Sequence, residues 1–247
     1  MFAIVIAAAI VYAVLTGAVG ARLLVLAVRT RALPEITLGI SYILGGVLGW
    51  AAIIVGYGVV AQAPATGHAL QYLGLFCLSA SHLSVALFSW RVFTPNSAWA
   101  RGLFFVLLLV AAIEYFHNAV LWGVIFPPPT SLWYWPGAVW RTGTYVWMPF
   151  VALRYYRRLR LRLTMGLADP VATNRVLLWG LIGLLTLATS VGVIAATLLG
   201  LWTTSAAPVL AMLTMGTLTV VAAMGLFAFR PPARYVAWVE RRAPRVE

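Results

Sequence analysis

The chemistry open to this chain rests on very few side chains. Five acids occur in 247 residues, Glu35, Glu114, Asp169, Glu240 and Glu247, with three histidines, His68, His82 and His117. Glu114 is the one acid set well inside a long apolar run. His117 follows it at i+3 and Asn118 at i+4, a spacing that puts all three on one helix face. Arg141 interrupts the next apolar run, with Tyr145 at i+4 on its own face. Ionisable groups in such surroundings are costly, so each is a functional candidate. Glu114 and Arg141 are expected to pair, because the planar guanidinium fork can hold a carboxylate through two bonds. His117, Asn118 and Tyr145 would extend that pair into a ligand-binding pocket, and His82, among Ser79, Ser81 and Ser84, is a candidate relay.

Other chemistries fit less well. Glu114-Tyr-Phe-His117 has the Glu-x-x-His spacing of bundle di-iron sites, but those need a second such motif and two further carboxylates. No metal site is expected. A bis-histidine haem needs two ligands at one height, whereas His68, His82 and His117 differ by about 10 Å or more along their helices. Ser79 and Ser81 lie beside His82 without an acid partner, so serine chemistry lacks its third member. No cofactor and no catalytic residue are expected, and the chain is read as a non-enzyme.

The elements that must position these residues follow from composition. Hydrophobic residues make up 63% and charged residues 9%, and mean hydropathy is +0.97. Those values exclude an ordinary soluble domain, a disordered chain and a disulfide-rich module, and indicate a polytopic membrane protein. The net charge is +12, with 17 arginines and no lysine. The arginines flank apolar runs, so they are read as setting orientation against an anionic inner leaflet, and nucleic acid is not an expected partner. Cys77, in an apolar run, is read as packing. Phe2 to Val19 lacks a basic n-region and a clear cleavage site, and reads as a retained first helix.

Seven apolar stretches are long enough to cross about 30 Å of hydrocarbon: 2–28, 35–60, 68–92, 99–126, 136–157, 174–199 and 206–229. The expected fold is an all-α bundle of seven transmembrane helices over 1–230, with an amphipathic cytoplasmic tail over 231–247. The connections alternate between basic and uncharged. Arg29 and Arg31, then Arg91 and Arg101, then Arg154, Arg157, Arg158, Arg160, Arg162 and Arg175, and finally the tail, carry the charge. The positive-inside rule then puts the N-terminus outside and the C-terminus inside a cytoplasmic membrane. Prolines read as punctuation at helix ends, and none is expected deep within a span. Glu114 lies thirteen residues past Arg101, and Arg141 thirteen before Arg154, so each stands roughly 20 Å from the inner arginine level. His82 stands roughly 14 Å from it, able to approach Glu114 from below. The Trp/Pro connection at 127–136 would cap the pocket.

The stretch Trp90-Arg-Val-Phe-Thr-Pro with Trp99-Ala-Arg101, and the exit Phe227-Ala-Phe-Arg-Pro-Pro-Ala-Arg-Tyr with Trp238, resemble the multi-helix membrane input segments of bacterial sensor kinases. Such segments lead into cytosolic signalling domains. This chain ends at Glu247, so signalling is expected to pass to a separate cytoplasmic protein. Helix number and orientation also resemble microbial rhodopsins, but without a lysine no retinal Schiff base can form. The resemblance implies a sensor or receptor-like protein. It would bind a small ligand in an outer-half pocket, with Arg154, Arg157, Arg158, Arg160 and Arg162 as the basic readout surface. A proton-coupled carrier using Glu114, His117 and His82 is the alternative. Carriers often have helices broken at midplane, so the expected lack of deep prolines counts against it. A structural scaffold is the third reading.

Overall fold

A backbone segment in hydrocarbon must satisfy its own N–H and C=O groups, which favours helices wherever apolar runs are long. The computed structural model describes residues 2–122, 128–229 and 231–242, and all regular structure among them is helical. Helix α1 spans Phe2–Thr30. Helix α2 (Leu33–Ser41) continues through a π-helical stretch, Tyr42–Gly49, into α3 (Trp50–Val59), making one rod. Helix α4 (Pro64–Phe88) ends in a π turn, Ser89–Phe93, and α5 (Ala98–Phe116) in another, His117–Trp122. Then come α6 (Tyr134–Thr164), α7 (Pro170–Leu198), α8 (Ala207–Phe229) and α9 (Ala233–Arg242).

Six segments are long and apolar enough to cross a membrane: Ala7–Thr30, Leu33–Val59, Pro64–Phe93, Ala98–Ala119, Pro170–Leu198 and Ala207–Phe229. Helix α6, the expected fifth span, does not qualify on composition. It carries Arg141 near one end and five arginines, from Arg154 to Arg162, at the other. Residues 123–126, the expected end of the fourth span, lie outside the described residues, as do Arg230 and the tail from 243 onward.

Helix α6 continues past the expected limit at 157, because nothing stops it before Gly166. There φ is +69°, Gly166 N–H donates to Leu163 O at 3.1 Å, and Leu167 N–H reaches back to Arg162 O at 2.8 Å. This glycine-terminated double bond closes the helix. Asp169 opens α7 as its N-cap, accepting from Ala172 N–H at 2.6 Å, with Pro170 in the first turn. The expectation of no deep proline fails at Pro149, inside α6. Gly183 on α7 faces its ring, where a Cβ would fall 2.7 Å from Pro149 Cδ, so the two helices pack closely there.

The rods close into a ring in which α1 packs on α2, the α2–α3 rod on α4, α4 on α6, α6 on α7, α7 on α8, and α8 back on α1. Helix α5 docks on this ring against α4 and α6. Small residues allow the close approaches that lipid-embedded helices need. A Cβ on Gly45 would strike the Ser81 hydroxyl, and one on Gly46 the Thr16 hydroxyl. Helix α9 lies on α7, held by a hydrogen bond from Asn174 Nδ2 to the Tyr235 hydroxyl and by buried Val239.

Candidate functional site

Antiparallel α5 and α6 bring the polar residues together near the end of the bundle away from the arginine clusters. Glu114 lies in the last α-helical turn of α5, and His117 and Asn118 open the π turn that follows. Such turns add a residue to the helix and often mark functional positions. All three side chains are buried. On α6, Trp133 precedes the first turn, and Gly137, Trp140 and Arg141 follow at spacings that share a face.

Glu114 collects donors from both helices. Arg141 Nη1 donates to Oε1 at 2.6 Å, Trp140 Nε1 donates to Oε2 at 2.6 Å, and Asn118 Nδ2 stands 3.5 Å from Oε1. Charge-assisted bonds of this length are the strong ones. The Arg141 guanidinium also lies 5.9 Å from the centre of the Trp140 ring, within cation–π range. Gly137 has to be small, because a Cβ there would overlap Glu114 Oε1 and lie 2.7 Å from Arg141 Nη2. His117 Nδ1 lies 3.1 Å from Asn118 Oδ1, and its ring stacks on Trp133 with centroids 3.7 Å apart and planes 17° apart. Thus Trp133, from the described part of the aromatic connection, covers the His117 side of the cluster.

The sequence-derived residues divide into an inner group and an adjacent one. Glu114, Asn118, His117 and Arg141 form one contiguous network. Tyr145 belongs to the next layer, with its ring against His82 at 5.2 Å. Position i+4 keeps Tyr145 on the Arg141 face but places it about 6 Å further along α6. His82 does not approach the carboxylate directly. It meets the edge of Trp140 at 5.6 Å, and its Nδ1 lies 2.6 Å from Leu78 O, so Trp140 stands between it and Glu114. Arg154, Arg157, Arg158, Arg160 and Arg162 are exposed along the far end of α6.

Trp140 and Gly137 escape a reading built on ionisable side chains. Their signal is positional: Trp140 adjoins Arg141, and Gly137 sits one turn before it. Trp140→Phe keeps an aromatic side chain but deletes the donor to a charged oxygen together with part of the buried indole, so a destabilisation of at least about 1.5–3 kcal/mol is expected in thermal unfolding of the detergent-solubilised protein. An unchanged transition would mean that the indole bond is not made.

Among the described residues no three His, Cys, Asp or Glu side chains converge on a point where a metal ion could bind. The arrangement holds a buried carboxylate against a guanidinium. Compared with protein-family models, curated proteins and solved structures, the chain finds no significant match.

Proposed function

We propose that this chain is a seven-span sensor or receptor-like protein of the cytoplasmic membrane, N-terminus outside, in which a small anionic ligand competes with Glu114 for Arg141. Helix α6 serves as the fifth of the seven spans, and its packing between α4, α5 and α7 supports this by seating it within the bundle. The observation that carries the reading is an asymmetry of burial. The Glu114 side chain is 2% exposed, whereas Arg141 keeps 21%. The partly exposed guanidinium is open to an arriving anion while the carboxylate is covered, and the Trp140 ring lies beside it. Displacing Glu114 would loosen α5 from α6, giving two states that differ in affinity for the ligand. The readout is the exposed basic end of α6, offered to a cytoplasmic signalling partner.

Benzoate and phenylphosphonate serve as anionic aromatic probes, and benzyl alcohol as the neutral control. Both anions are expected to raise the melting temperature of the purified protein, benzyl alcohol is not, and Arg141→Met is expected to abolish the shift. No shift with either anion, or the same shift in Arg141→Met, overturns the reading.

The contact of His82 with both Trp140 and Tyr145, together with Pro149 and the π-helical stretch of the second rod, favours a proton-coupled carrier as the second reading. Proton flux in proteoliposomes that is lost in both Glu114→Gln and His82→Phe would select the carrier.

A further inference from the structure

A cavity of about 180 Å³ opens at the basic end of the bundle, far from the Glu114 cluster. Its walls come from three places: Phe93 and Thr94 at the close of the π turn after α4, Trp99 at the start of α5, and Phe150, Val151, Arg154, Tyr155 and Arg158 on α6. Phe150, Arg154 and Arg158 are spaced four residues apart, so they stack as a strip along one face of α6, each about 6 Å beyond the last. The strip changes character along its length. Phe150 and Trp99 are exposed apolar surface at the deeper side, and two exposed cations follow toward the helix end. Phe93 packs against the Tyr155 ring at 5.8 Å and Trp99 against Trp147 at 6.0 Å, so the wall is held from behind. Among the described residues neither Arg154 nor Arg158 forms an ion pair.

We propose that this cleft seats the headgroup of an anionic phospholipid. Arg154 and Arg158 take the phosphate, and Phe150 and Trp99 lie along the first part of an acyl chain. The order of surfaces argues for a lipid over a free anion. A soluble phosphate needs only the cationic rim, whereas this cleft continues without a break into exposed aromatic surface on the side facing hydrocarbon. Two cations with no ion-pair partner among the described residues, one turn apart, supply a localised field beyond the diffuse attraction of the surrounding arginines. The inference requires that the helices cross a bilayer. It shares Arg154 and Arg158 with the proposed readout surface but stands apart from the proposed ligand site, because none of its residues belongs to the Glu114 network.

The test uses the full chain in neutral detergent and native mass spectrometry with phosphatidylglycerol, phosphatidylcholine or inorganic phosphate. The wild type is expected to retain phosphatidylglycerol in preference to phosphatidylcholine, and inorganic phosphate should not displace it at equal concentration. R154Q/R158Q should weaken phosphatidylglycerol binding by about thirtyfold, from two cations acting on one phosphate. R157Q/R160Q removes the same charge from outside the cleft, and its loss should be several times smaller. The four arginines are exposed, so both variants should melt like the wild type. Equal losses in the two double variants would reveal a diffuse field and overturn the seat. Displacement by inorganic phosphate would overturn the lipid, and so would equal retention of phosphatidylcholine.

Discussion

Arg141→Met is expected to destabilise the protein more than Glu114→Gln, and each single change more than the two together. Removing one partner of a buried pair costs about 3–5 kcal/mol, because the other charge is left without compensation. The burial of the two groups decides the order. Arg141→Met strands a carboxylate that is 2% exposed, with Trp140 and Asn118 as its remaining donors. Glu114→Gln leaves a guanidinium that is already 21% exposed and has a long apolar stem with which to reach water. The amide oxygen introduced by Glu114→Gln can still accept from Trp140, which reduces the loss further. In the double variant no stranded charge remains, and exchange of a buried pair for uncharged groups of similar volume is often close to neutral. Thermal unfolding of the four proteins gives the coupling directly. Additive losses would contradict the pairing, and equal single losses would contradict the role assigned to burial.

Gly137→Ala should also destabilise, against the sign of its helix propensity. Glycine inside a helix costs roughly 0.5–1 kcal/mol relative to alanine, so propensity alone forecasts a gain. The added Cβ would overlap Glu114 Oε1, and both atoms are fixed by backbone or by the network. The carboxylate must yield, which separates it from Arg141 and Trp140. Overpacking of this kind costs about 1–3 kcal/mol. Gly143 supplies the control, since a Cβ there meets nothing within 4 Å on the same helix. Gly143→Ala is expected to be neutral or stabilising. If the two alanine variants melt alike, Gly137 is no cradle for the carboxylate.

The helical class and the long apolar helices are legible in the sequence because apolar runs of this length leave the backbone no other way to satisfy itself in hydrocarbon. The meeting of Glu114 and Arg141 is legible for a related reason. Two costly residues stand at matching depth on consecutive antiparallel helices. The rest depends on side-chain packing that spacing does not encode. The shared burial of Glu114, His117 and Asn118 follows from their i, i+3 and i+4 spacing, whereas the π turn that opens at His117 has no mark in that spacing. Trp140 is not legible because an indole is neutral and reads as core, although its N–H is a strong donor once buried beside a carboxylate. His82 is held off Glu114 by that same indole. The close packing of α7 on Pro149 depends on Gly183, 34 residues later in the chain and outside any local window.

In the proposed sensor an anion at Arg141 changes the basic end of α6, which the distance between spin labels at Arg29→Cys on α1 and Arg160→Cys on α6 reads out, in a Cys77→Ser background and in lipid nanodiscs. Benzoate is expected to shift that distance distribution in the otherwise wild-type protein and to leave it unchanged when Arg141→Met is added. A distribution indifferent to benzoate in both proteins, or one that shifts equally in both, would mean that Arg141 does not govern the basic end of α6.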